Sequence, residues 1–217
     1  AYMRTIGIKG SGNGQFGGGN GGVAFDSEGN LVVADYGNHR VQVLRYSDGA
    51  HVRTIGSAGA GAGQFQYPSG VAFDAAGHIV VVDRNNHRVQ VLRYSDGAHV
   101  RTIGSNGSGN AQFSGAKGIA VDGEGNVAVF DYGSARVQVH RLSDGAYIRT
   151  IGSEGSGNGQ FAGGNGDVAF DSEGNLVVAD DHNHRVQVLR YSDGAHVRTI
   201  GSQGSGNGQF YHPSGVA

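Results

Sequence analysis

The feature that most constrains this chain is a recurring dipeptide. Gln-Phe ends at Phe16, Phe65, Phe113, Phe161 and Phe210, at intervals of 48 or 49 residues. A fixed period of that length means one supersecondary unit copied along the chain. The segments between copies keep one order, which the second copy illustrates. Gly70 to Asp74, Ile79 to Asp83, Arg88 to Arg93 and His99 to Ser105 are Val- and Ile-rich runs of strand length between Gly-containing turns. The second run is apolar without a break, as expected of a strand covered on both faces. The third alternates Val89 and Val91 with Gln90 and Leu92.

Ser95-Asp96-Gly97 offers the Asp-Gly pair that a tight hairpin takes at positive φ, and Asp74 opens a longer loop closed by Gly77. Each copy therefore reads as a four-stranded meander. A lone meander leaves both faces exposed, so the copies must stack, and a radial stack of four-stranded sheets is a β-propeller. The expected fold is all-β, with blades over 22–57, 70–105, 118–153 and 166–202 and partial blade strands over 1–7 and 214–217, the whole forming one array.

Composition narrows the function classes. The 42 Gly, without a period of three and with apolar runs throughout, signal many turns rather than a triple helix or disorder. The formal net charge of −2 is spread along the chain and gives no basic footprint for nucleic acid or for a membrane surface. No apolar run is long enough to span a bilayer as a helix. The absence of Cys excludes disulfides and thiolate metal sites. The compartment stays open, with an extracellular setting the favoured one.

Gly-Val-Ala-Phe-Asp, then Val-Val-Asp, then Asn86-His87-Arg88-Val89-Gln90-Val91 resembles the NHL repeat, and the resemblance runs over essentially the whole chain. Asn-His-Arg stands at Asn38 to Arg40, Asn86 to Arg88 and Asn183 to Arg185. The third copy departs with Ser134-Ala135-Arg136, and the Leu of the family name is Val41, Val89, Val137 and Val186 here. The Pro usual before the first strand is present as Pro68 and Pro213.

A longer period overlies the blade. The spacers after Phe16 and Phe161, which stand 145 residues apart, are one residue longer than those after Phe65 and Phe113, so the pattern repeats every three copies. Two such triplets would make six blades, a number the resemblance also implies. Four complete copies with partial strands at both ends do not close that ring. The expectation is therefore a segment of a longer array, or a ring completed by association.

Asp35, Asp83, Asp131 and Asp180 each stand five residues before an Arg, within reach of a charge-assisted contact across the hairpin. A pair present in every copy suits a frame better than a catalytic centre. Asp26, Asp74, Asp122 and Asp171 open turns and are read as backbone acceptors. His39, His87 and His184 precede the third strand, whereas His51, His99 and His196 open the fourth. The two sets lie at opposite ends of a blade and share no tetrahedral site.

Asp180-Asp181-His182-Asn183-His184 has metal-like content, and His182 and His184 would point the same way on an extended chain. A solvated loop is the expected state, so neither a metal nor a cofactor is called. Gly-Ser-Gly-Asn-Gly, present three times, lacks the Lys and helix of a phosphate loop and reads as a flexible crossover between blades.

The first and fourth copies differ at four of 47 positions from Ser11 to Ser57. The differences are Gly17 against Ala162, Gly22 against Asp167, Tyr36 against Asp181 and Gly37 against His182. All lie in the crossover or in the loop after the second strand, while equally exposed turns at the other end are unchanged. That contrast marks a binding face. Its expected partner-binding residues are Tyr36, His39, Tyr67, Arg84, Asn85, His87, Lys117, Tyr132, Asp181, His182, His184 and His212.

The expected function is a non-enzymatic interaction scaffold for a protein or glycan. A fibre or coat of tandem repeats, with self-association or continuation in a longer chain, is the alternative. A metal-dependent propeller lyase or hydrolase is disfavoured, because the first strands offer no ligand except Asp167.

Overall fold

The computed structural model describes residues 4–19 and 21–217, in two compact units that meet in sequence between Arg101 and Thr102. Four antiparallel sheets of four strands follow one another, each with its strands in chain order. The first comprises Val23–Phe25, Leu31–Asp35, Arg40–Leu44 and His51–Ile55. The second comprises Pro68–Phe73, His78–Asp83, Arg88–Arg93 and His99–Ile103, and the division between units falls in its last strand. The third runs Ala116–Val121, Asn126–Asp131, Arg136–Arg141 and Tyr147–Ile151. The fourth runs Val168–Phe170, Leu176–Asp180, Arg185–Leu189 and His196–Ile200. The repeated meander read from the sequence is the architecture that forms.

The turns show why. The Asp26 carboxylate accepts the N–H groups of Glu28 (2.9 Å) and Asn30 (2.7 Å), substituting for backbone carbonyls across the turn, and Asp122 and Asp171 repeat the device. The Ser-Asp-Gly turn differs from the tight hairpin expected. Arg93 donates its N–H to the Ala98 carbonyl at 2.8 Å, and only Gly97 has positive φ (74°). Asp96 spends its carboxylate on the Ala98 N–H (3.0 Å), which closes a four-residue loop instead.

Three further expectations are corrected. The third strands do not alternate between core and solvent, since Gln42, Gln90, Gln138 and Gln187 are as buried as their Val neighbours. The Gly-rich crossovers are ordered, not loose. Ser57–Ala58 pairs in parallel with Gln64–Phe65, and the same short pair recurs at Ile8–Lys9 with Gln15–Phe16, at Ser105–Asn106 with Gln112–Phe113 and at Ser153–Glu154 with Gln160–Phe161. Residues 4–7 and 214–217 form no strand, because no neighbour among the described residues completes their ladder; residues 1–3 lie outside the described residues.

Each unit has its own core. In the first, Val32, Val41, Ile55, Phe65, Ile79, Val81 and Leu92 pack together; in the second, Phe130, Val137, Ile151, Phe161, Leu176, Val178 and Leu189 do so. The Phe of the recurring dipeptide is thus a core anchor, fully buried at Phe65 and Phe161. Burying such a ring stabilises by about 2–3 kcal/mol. At Gly56, with φ 76°, a Cβ would lie 2.4 Å from the Phe65 ring, so the anchor seats only against glycine.

Candidate functional site

The loop after each second strand is a single 3-10 turn whose following residue is left-handed: His39 (φ 57°), His87 (φ 54°), Ala135 (φ 47°) and His184 (φ 55°). The aspartate that ends the strand organises everything around that turn. Asp35 accepts from the Gly17 N–H (2.9 Å), Asn38 Nδ2 (2.9 Å), Arg40 Nε (2.8 Å) and Gln42 Nε2 (2.9 Å).

Those donors reach onward to the crossover. Asn38 donates to the Gly10 carbonyl, Arg40 Nη2 to the Gly12 and Gln15 carbonyls, and Gln42 to the Gln15 carbonyl while accepting the Gly14 N–H. Asp83 and Asp180 head matching clusters. The Asp-to-Arg contacts expected across the hairpin are therefore present, as parts of a clamp on the glycine-rich backbone. Buried glutamine completes that clamp, a role its place in an alternating strand concealed.

On this clamped support the first unit displays an aromatic group. Tyr67, left-handed at φ 54°, donates its N–H to His39 Nδ1 (3.0 Å), and the His39 and Tyr67 ring centroids are 4.4 Å apart. Tyr36 lies 4.9 Å from Tyr67, and Arg84 Nη1 donates to the Tyr36 hydroxyl (3.3 Å). Exposed Asn85 adjoins through its N–H to the Gln66 carbonyl (3.1 Å). His87 Nδ1 is buried and has no hydrogen-bond partner among the described residues. The structure thus brings Tyr36, His39, Tyr67 and Arg84 into contact and leaves Asn85 and His87 at their margin.

The second unit uses the same frame differently. His212, left-handed at φ 53°, donates its N–H to His184 Nδ1 (3.2 Å), as Tyr67 does to His39. Its own Nδ1 lies 2.6 Å from Asp181 Oδ1, and His182 Nε2 lies 3.7 Å from the same oxygen. Tyr211 stacks on His184 with centroids 5.3 Å apart. The Asp181 Oδ2 accepts the Asn165 N–H (3.2 Å), and Lys117 Nζ donates to the Asn165 carbonyl (2.5 Å), so the crossover links Lys117 to the turn. Tyr132 lies outside the histidine cluster and donates its N–H to the Gly115 carbonyl (3.0 Å).

Burial holds the Asp167 carboxyl above the usual carboxylate range, offset by the Val168 N–H and the Lys117 charge. Among the described residues, Asp167 joins no group of three His, Cys or carboxylate ligands of metal-binding size. Sequence reading missed Asn165 and Tyr211; only the departure of Tyr211 from Gln66 in the matching position signals the latter.

Comparison with known proteins agrees with this architecture. The NHL repeat family matches residues 21–44, 65–92 and 166–189. No curated protein matches the chain. Among solved structures, a nidogen/laminin complex superposes with a TM-score of 0.64 at 20% identity, over 82% of this chain and 62% of the other. The structure of U3-55K gives 0.65 at 14% identity, over 84% and 52%. A catalytically inactive virginiamycin B lyase from Staphylococcus aureus with quinupristin gives 0.61 at 13%, over 84% and 55%. The chain spans only about half to three-fifths of these relatives, and at such identities the likeness is one of fold.

Proposed function

We propose that this chain, which matches the NHL repeat at three segments, is a non-enzymatic scaffold that binds a protein or glycan partner through the loops beside its second-to-third-strand turns. The observation that carries this reading is the contrast between the two loop groups. Sheets one and four share nearly all their residues, yet Tyr36 and Tyr67 on one frame are replaced by Asp181 and His212 on the other. Chemistry is changed in the turn and the crossover that faces it, and kept where side chains clamp backbone.

A rigid support favours recognition, because partners pay little ordering entropy on binding to pre-set groups. Tyr36, Tyr67 and Arg84 form a contiguous aromatic and cationic group of the kind that dominates binding energy in recognition surfaces. The recurrent carboxylates Asp35, Asp83 and Asp180 each spend their oxygens on several donors of the clamp, which supports a frame role over an acid or base role.

A glycan array and a displayed-peptide selection with the full chain test the reading. Saturable binding that falls at least tenfold in Tyr36→Ala and Arg84→Ala supports it. Absence of any saturable ligand in both formats, or binding indifferent to these changes, overturns it.

A further inference from the structure

We infer that Asp181, His182 and His212 form a site for a first-row divalent transition metal such as zinc. Their candidate ligand atoms all lie within 4.8 Å of one another. They come from two segments, the 3-10 turn Asp181–Asn183 and the crossover residue His212, so the fold creates a juxtaposition absent from local sequence.

The histidine that joins the turn is not His184, as spacing along an extended chain suggests. His184 follows the turn in the left-handed conformation and spends Nδ1 on the His212 N–H. In doing so it positions the backbone of His212, much as an outer group orients a ligand.

The three side chains divide the labour of such a site. The Asp181 carboxylate is buried, at 5% side-chain exposure, and its second oxygen is fixed by the Asn165 N–H. His182 and His212 are 54% and 41% exposed, which leaves a path for the ion and room for water to complete its coordination. At Gly164 (φ 86°) a Cβ would lie 2.8 Å from His182 Cδ2, so the crossover passes close over that ring only because the residue is glycine.

Two imidazoles and one carboxylate suit zinc, cobalt or nickel, whereas calcium and magnesium take oxygen ligands. His212 Nδ1 and Asp181 Oδ1 now stand 2.6 Å apart, as a hydrogen-bonded pair. Tetrahedral ligands at about 2.1 Å from zinc stand roughly 3.4 Å apart, so metal binding widens this pair, and the ring keeps its remaining hydrogen on Nε2.

The first unit is an internal control. Tyr36, Gly37 and Tyr67 occupy the matching positions on the same turn and with the same His-to-N–H contact, yet supply neither a carboxylate nor an imidazole. Three replacements on a retained frame thus supply three ligands together.

Titration of the full chain with zinc ion by calorimetry, and with cobalt ion by visible absorption, tests the inference. One equivalent is expected to bind, with a cobalt d–d band of tetrahedral or five-coordinate intensity. The triple change Asp181→Tyr, His182→Gly and His212→Tyr, a combination the first unit already carries, is expected to lose that equivalent. His182→Gln alone, at a half-exposed ring, is expected to weaken it at least tenfold. Failure of the unmodified chain to bind, or an equivalent retained at full affinity in His182→Gln, overturns the assignment.

Discussion

Arg136 Nε stands 3.5 Å from Asp131 Oδ2, whereas Arg40, Arg88 and Arg185 donate to their aspartates at 2.7 to 2.8 Å. The loosening has a local cause. In the other repeats an asparagine amide bridges this carboxylate and a glycine carbonyl, but here Ser134 turns its hydroxyl to Ser114 (2.8 Å). Asp131 Oδ2 and Arg136 Nε are left without hydrogen-bond partners among the described residues. Ser134→Asn is therefore expected to stabilise the chain by about 1 kcal/mol, read as a higher urea midpoint at unchanged slope.

The buried glutamines carry a larger share. Gln90 accepts the Gly63 N–H (2.9 Å) and donates to the Gln64 carbonyl (2.6 Å) and to Asp83 (3.2 Å). Gln90→Leu keeps the volume and strands those partners, at a cost of about 2–4 kcal/mol. Denaturant unfolding followed by far-ultraviolet circular dichroism measures it. A loss below the scatter of surface substitutions would show that the crossover is held by other means.

His140 occupies the place that Leu44, Leu92 and Leu189 hold in the other sheets, fully buried, with neither ring nitrogen in a full hydrogen bond. Burial, assisted by the Arg136 charge and opposed by the Gly145 backbone, holds its pKa below the ordinary histidine value. The unfolded chain then takes up the proton first as pH falls, so stability present above about 6.5 is lost on acidification. His140→Leu is expected to raise the melting temperature at pH 7 and to shrink its fall between pH 7 and 5. An unchanged pH slope would remove His140 from the acid sensitivity.

Tyr94 ties the two sheets of the first unit together. Its hydroxyl donates to Asp26 Oδ2 (2.8 Å), and the Arg53 guanidinium lies 3.9 Å from its ring centre. Burial first, and then the Asp26 carboxylate, push its phenol up to about 12 against the opposing Arg53 charge. Alkaline titration of phenolate absorbance is expected to lose one late-ionising phenol in Tyr94→Phe, with Tyr191, also pushed up by burial, remaining as another, together with about 1 kcal/mol of stability.

Periodicity makes the fold readable in the sequence. Strand number, turn positions and the frame role of Asp35 and Arg40 follow from residues that recur in register. The clamp was half visible, because an aspartate and an arginine five residues apart suggest a contact, whereas Gln42 in an alternating strand reads as a solvent-facing residue. Its burial depends on a glycine-rich backbone laid over it from 27 residues earlier. The contact of His212 with Asp181 is hidden for a similar reason, although both residues are named from the sequence: it spans 31 residues, and no local pattern encodes that separation. The ordered crossovers were hidden by composition, since glycine signals freedom even where Gln64 and Phe65 fill the space a Cβ would need.

The clamp around Asp35 and Asp180 reaches the loops through main-chain N–H and carbonyl groups, so it is indifferent to which side chains those loops carry. Each repeat can consequently be treated as a cassette, in which residues 162 and 182 are rewritten while the clamp is kept. Near-identical copies are also raw material for unequal exchange between repeats, which would shuffle finished loops rather than invent them one residue at a time.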